Sequence, residues 1–202
     1  MHTIEQIFIY GEFVTPHGTE WFDLYNPATA QVIGQVRLAD EIDAERAVAA
    51  AKAAFPAWSQ TTKQERLAAL KRMHAAVAAR HDDLLEAVIE EYGAPASRSA
   101  WMASYPADVI AQAIEALEAF EFITPAGAAT VQMTPLGVAG LITPWNSDAG
   151  FICGKLAAAL AAGCTAVIKP SEMSALQTRI VTEALRDAAL PPGVFNIVTG
   201  RG

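Results

Sequence analysis

The chain has only two cysteines, Cys153 and Cys164, in 202 residues. They stand eleven positions apart, with no histidine near either. That spacing carries no zinc-ligand pattern and is too sparse for a disulfide framework, so a reducing compartment is the default. Positive charge is also short: 14 Lys+Arg against 22 Asp+Glu leave a formal net charge of -8. An acidic surface repels phosphate backbones and anionic lipid, which argues against nucleic-acid and membrane-surface partners. The N-terminus, Met1-His2-Thr3-Ile4-Glu5, lacks a basic stretch followed by an apolar one, so no signal peptide is expected. The most apolar stretch, Phe151 to Ala162, is too short to span a bilayer and contains Lys155. These absences lead to the expectation of a soluble, cytoplasmic protein. There is no internal repeat and no low-complexity tract.

Hydrophobic residues make up 52% of the chain, enough for a sizeable core, and alanine supplies much of that share. The length suits one ordinary domain, or one domain plus the start of another. Ile7 to Val14 alternate around Gly11 and read as strand, turn, strand. Short strands follow near Trp21 to Leu24 and Val32 to Val36, separated by a turn at Asn26-Pro27-Ala28-Thr29. Helical spacing begins at Asp40, with Ile42, Ala47, Val48, Ala51 and Phe55 as the apolar stripe and Pro56 as the stop. Thr62 to Glu65 form a capping box for a helix reaching about Arg80. Asp82 or Asp83 caps the next helix, which stops at Gly93, and a longer one covers roughly Ser97 to Phe122.

The pattern then changes. Val131 to Met133 and Val138 to Ile142 read as strands, Phe151 to Ala162 as a helix capped by Gly163, and Thr165 to Ile168 as a strand. Ser174 to Ala189 read as a helix and Phe195 to Val198 as a strand. The expected fold class is α/β: an N-terminal meander and helical cluster (1-122) leading into an incomplete parallel, Rossmann-like coenzyme-binding sheet (123-202). Both parts are assigned to one coenzyme domain.

Three polar or glycine-rich segments fall at the carboxyl ends of expected strands: Thr143-Pro144-Trp145-Asn146, Lys169-Pro170-Ser171-Glu172 and Thr199-Gly200-Arg201-Gly202. Parallel sheets bind ligands at that rim. Singly, each segment has an ordinary reading. Lys169 is then a solvated lysine, Ser171 and Glu172 cap a helix, Asn146 sits in a turn, and the glycines form another turn. As one ordered set on one rim, they read as a binding crevice. Neither cysteine has a histidine or other base in sequence reach to lower its pKa, so both read as structural. The four histidines, His2, His17, His74 and His81, all lie in the first region and read as surface residues.

The order of these segments resembles the aldehyde dehydrogenase superfamily over the whole chain. The resemblance rests on Asn26-Pro27-Ala28-Thr29, on Ala50 to Trp58 with Arg66-Leu67, and on Pro135 to Asn146. It continues through Ala161 to Glu172 and Pro192 to Gly200. It implies an oxidoreductase that converts an aldehyde to a carboxylic acid with NAD(P)+ through a cysteine thiohemiacetal. On this resemblance Asn146 is the catalytic oxyanion donor: a thiolate adding to an aldehyde makes its oxygen negative, and a fixed amide stabilises it. Lys169 and Glu172 hold the adenosine ribose hydroxyls, with Ser171 beside them. Ile142, Thr143, Pro144 and Trp145 wall the cofactor, Gly202 lets the backbone approach it, and Lys155 matches a lysine assigned to a proton relay. Glu172 would repel a 2′-phosphate, so NAD is expected, with NADP possible.

Two departures stand out. After Asn146 the family often has an aromatic residue and proline, whereas here Ser147-Asp148-Ala149-Gly150 follow. Asp148 either favours a helix N-terminus or shapes the aldehyde channel. The segment Phe122 to Pro135 is short for a region that carries a long oligomerisation hairpin in many relatives, although a homo-oligomer is expected for the complete protein. On the resemblance, the catalytic cysteine and glutamate lie beyond Gly202. The 202-residue chain alone is therefore expected to be inactive, with an unpaired sheet edge and an apolar face. The alternative reading is a non-catalytic nucleotide-binding or interaction module.

Overall fold

The computed structural model describes residues 1–201. Tyr10 and Gly11 both take positive φ, the geometry of a tight hairpin turn. They join β2 (Ile7–Ile9) to β3 (Glu12–Val14) in antiparallel register. The preceding β1 (His2–Ile4) instead pairs parallel with β5 (Val32–Arg37), which also pairs antiparallel with β4 (Trp21–Tyr25).

Four helices follow. In α1 (Glu41–Ser59), the Asp40 side chain accepts from the amides of Ile42 and Asp43, and Asp43 completes a capping box. Pro56 was expected to stop this helix, but α1 runs through it. Pro56 is exposed, so the bond it cannot donate is lost on the solvent side, while Trp58 packs into the core. The buried stripe is also displaced from the expected one. Ile42 and Val48 are exposed, whereas Asp43, Ala47, Ala50 and Ala51 are buried. In α2 (Lys63–Ala78), Thr62 and Glu65 form the expected capping box.

The next helix, α3 (His81–Ala87), has no side-chain cap, contrary to expectation; Asp82 and Asp83 lie in its first turn, with Asp83 paired to Arg80. It continues as one π-helical turn, Val88–Tyr92, closed by Gly93 at φ 70. A positive φ there suits glycine, and a side chain at that position would strike Pro27. Next comes α4 (Ala96–Ala119). The segment after it forms a complete hairpin, β6 (Ile123–Ala126) and β7 (Ala129–Gln132), where one strand was expected; every residue of it is exposed.

The remaining chain alternates: β8 (Val138–Ile142), α5 (Asp148–Ala161), β9 (Thr165–Lys169), a 3-10 turn (Glu172–Ser174), α6 (Ala175–Asp187) and β10 (Phe195–Ile197). The strands β8, β9 and β10 are parallel, and the full sheet order is β3-β2-β10-β9-β8. Phe8 stacks on Phe195 at 4.8 Å, tying the N-terminal hairpin to β10. One flank of the parallel strands is therefore covered by β2, and β8 is the open edge among the described residues. Alternation along β9 sorts two layers: Ala166 and Ile168 pack into the large core with α5 and α6, and Val167 packs with Ala47, Ala50 and Ala51 of α1.

Candidate coenzyme and oxyanion site

The three strand-end loops lie side by side because β8, β9 and β10 are parallel and adjacent. Two of them are bonded together. The Thr143 amide donates to the Lys169 carbonyl at 3.1 Å, and Ser174 Oγ donates to the Trp145 carbonyl at 2.8 Å. The third is held from outside, where the Ala39 amide donates to the Thr199 carbonyl and Arg201 forks onto Glu20.

Lys169 ends β9 and Glu172 opens the 3-10 turn, placing Lys169 Nζ 3.8 Å from Glu172 Oε2. Both side chains are about a fifth to a quarter exposed, at 24% and 18%. Such a pair offers a donor and an acceptor at the carboxyl rim of the sheet. The Ser171 hydroxyl accepts from the Met173 amide at 3.3 Å, so it caps the same turn.

Ile142 and Pro144 are exposed on the rim, and Thr143 is buried beneath them. Trp145 is half exposed and leans on Tyr92 at 5.7 Å. Asn146 is exposed at the crest of the loop. The next residue, Ser147, has φ 76, a left-handed conformation that a non-glycine residue takes only under constraint. That turn reverses the chain into α5 and leaves Asn146 on the rim. Lys155, on α5, reaches back and donates to the Ile142 carbonyl at 2.6 Å. Gly202 lies outside the described residues.

Both cysteines are buried and free. Burial, with Asp148 nearby, pushes the Cys153 thiol well above its ordinary range. A thiol held protonated is a poor nucleophile. Among the described residues no cluster of acidic, histidine or cysteine side chains suits a metal ion, and no helix is long and apolar enough to cross a membrane.

Two acids behind the rim are buried: Asp148, which the sequence singled out, and Glu91, which it did not. Of the two readings of Asp148, the one at a helix N-terminus holds, since it opens α5; it faces no open channel but is fully buried, accepting from Thr143 Oγ1 at 2.5 Å and facing Thr178 Oγ1 at 2.7 Å. Burial raises its carboxyl to about 7, against the pull of Thr143, Thr178 and Lys169. Glu91, on the π-helical turn, accepts from the amides of Leu176 and Gln177 at the start of α6. Burial raises it to about 8, against those amides, and Asp148 raises it further. Glu91 carried no signal in the sequence; in the structure it sits buried on the π-helical turn while Glu90 stays partly exposed. Asp148 carried one signal, a carboxylate beside an apolar run.

The sequence profile of the aldehyde dehydrogenase family matches residues 13–202. The chain belongs to the aldehyde dehydrogenase family. It is 37% identical, over its whole length, to a 3-succinoylsemialdehyde-pyridine dehydrogenase from a Pseudomonas species, covering 43% of that protein. It superimposes on aldehyde dehydrogenase C from Pseudomonas syringae, solved with NAD+ and octanal, with TM-score 0.95 and 38% identity. It covers 42% of that chain. An aldehyde dehydrogenase from Bartonella henselae gives TM-score 0.96 at 31% identity, with 44% of it covered. The chain thus spans less than half the length of these family members.

Proposed function

We propose that this chain forms the coenzyme-facing portion of an enzyme that oxidises an aldehyde to a carboxylic acid with NAD+. The observation that carries this reading is the Lys169–Glu172 pair, 3.8 Å apart and partly exposed, on the same bonded rim as Asn146. In this reading residues 1-122 and 123-202 are parts of one coenzyme domain.

The residues fit such a coenzyme. A lysine donates to ribose hydroxyls and a carboxylate accepts from them, and both are shielded enough from water for those bonds to matter. The Glu172 carboxylate opposes a 2′-phosphate, which favours NAD+ over NADP+. Ile142 to Trp145 form a wall beside them, Ser171 shapes the turn that carries Glu172, and Gly202, by the family resemblance, lets the backbone approach the coenzyme. Bound in this crevice, NAD+ supplies the hydride acceptor.

Asn146 is the oxyanion donor in this reading. When a thiolate adds to an aldehyde, the carbonyl oxygen gains full charge, and an amide already aimed at it lowers the barrier; loss of one such donor costs about a hundredfold to a thousandfold in turnover. Neither Cys153 nor Cys164 supplies that thiolate, since both are buried. The chain Met1–Gly202 alone therefore binds coenzyme without oxidising aldehydes.

Calorimetric titration tests this. NAD+ is expected to bind Met1–Gly202, Lys169→Ala and Glu172→Ala each to weaken binding by on the order of tenfold, and Glu172→Gln to narrow the preference over NADP+. Equal affinity for both coenzymes in wild type, or indifference to both alanine variants, would sink the proposal.

A further inference from the structure

Asp148 lies at the centre of a buried chain of hydroxyls that the proposed chemistry does not use. It opens α5, one residue after the strained Ser147, and links two rim loops. On one side is Thr143, in the loop that carries Asn146. On the other is Thr178 of α6, the helix that follows the Lys169–Glu172 loop.

The protons in this chain can be counted. Thr143 Oγ1 faces Asp148 Oδ1, Asp148 Oδ2 faces Thr178 Oγ1, and Thr178 Oγ1 faces the Ser174 carbonyl at 2.9 Å. These are three contacts, and the two threonines bring one proton each. With Asp148 ionised, the Thr178 proton serves either the carboxylate or the Ser174 carbonyl, and one link is lost. With Asp148 neutral, Thr143 donates to Oδ1, Oδ2 donates to Thr178, and Thr178 donates to Ser174. Every link is then filled. Ser174 also donates its own hydroxyl to the Trp145 carbonyl, so the filled chain closes back on the Asn146 loop.

The surroundings favour the same state. The carboxyl has no exposure to water, and an unpaired charge there carries a large desolvation cost. The ionisable groups packed around it are few. Lys169 at the end of β9 favours the charged form; Cys153 on α5 and Glu91 on the π-helical turn do not stabilise it. Tyr105 of α4 lies over Gly150, one turn into α5. The strand β8 contributes no ionisable side chain.

We propose that Asp148 is a positioning residue which, as a neutral acid, pins the loop bearing Asn146 to α6, and that its ionisation loosens that loop. Its consequence for catalysis rests on the proposed role of Asn146; the pinning itself does not.

The test is amide hydrogen exchange of Thr143 and Phe151, whose amides bond the two ends of the loop to the Lys169 and Ser147 carbonyls, from about pH 6 to about pH 9 and corrected for intrinsic exchange. Protection in wild type is expected to fall by on the order of tenfold as pH rises through neutrality. Asp148→Asn places an amide donor toward Thr178 and an acceptor toward Thr143, mimicking the neutral acid. It should keep the loop protected at every pH. Thr178→Val, which removes the hydroxyl at similar volume, should loosen the loop at every pH, and melting curves confirm that each variant is folded. Flat wild-type protection overturns the proposal, as does an Asp148→Asn loop as loose as that of Thr178→Val. The role of Asn146 is judged separately, by aldehyde turnover of Asn146→Ala in the complete enzyme, which supplies the thiolate that neither Cys153 nor Cys164 provides: unchanged turnover removes that role and leaves the exchange result standing.

Discussion

Glu91 shows how much one side chain depends on the backbone around it. The π-helical turn rotates Glu91 onto the first amides of α6, where it satisfies two donors that a helix N-terminus leaves free. The cost is a buried carboxyl, raised to about 8. The sign for stability follows from the proton count. Below about pH 4.5 both folded and unfolded chains hold this proton, and Glu91 carries no penalty. Between there and about 8 only the folded chain holds it, so stability falls as pH rises. Relative to Glu91→Gln, wild type is expected to lose up to about 1.4 kcal/mol per pH unit across that window. Urea unfolding at a series of pH values reads this difference directly; a constant difference would show that Glu91 is ionised throughout.

At the scale of elements, the two capping boxes look alike in sequence and differ in what they carry. Thr62 and Glu65 are exposed and serve only α2. Asp43 is fully buried; besides closing the box on Asp40, it accepts from the amides of His17 and Gly18 and pairs with Arg46. Thr62→Ala is expected to cost about 1 kcal/mol. Asp43→Ala orphans two further amides and should cost about 3 kcal/mol or more. Equal losses in denaturant unfolding would contradict this. The same contacts explain why the buried stripe of α1 differs from the expected one: Asp43 turns inward to hold the loop before the helix, and Ile42 is left at the surface.

For the whole molecule, the deciding feature is that β8 has no partner strand on its outer side among the described residues. Its unpaired backbone lies beside exposed Leu136 and Ile142, and the chain also exposes Ile123 and Val131 on the β6–β7 hairpin. Unpaired edges with apolar neighbours favour association. Sedimentation of Met1–Gly202 is expected to show mass rising with concentration, and Leu136→Lys to reduce it. A single monomeric species across the concentration range would refute this. The opposite flank is different, because β2 covers β10 and Phe8 stacks on Phe195.

Much of this was legible in sequence. Turn residues, capping residues and two-residue alternation are local, so the hairpin at Gly11, the α2 box and the β8–α5–β9–α6–β10 series could be read directly. The ordered loops at Thr143, Lys169 and Thr199 also announced one rim, since parallel strands must present their ends together. Three things depended on tertiary structure: the pairing of β2 with β10, the inward aim of Glu91, and the hydroxyl chain through Asp148. The physical reason is common to all three. Each joins residues at least thirty positions apart, and no local pattern records whether a carboxylate ends in water or in a core. Sequence alone determined the family and the rim; only the packing of α5, α6 and the π-helical turn decided that the acids behind that rim are buried.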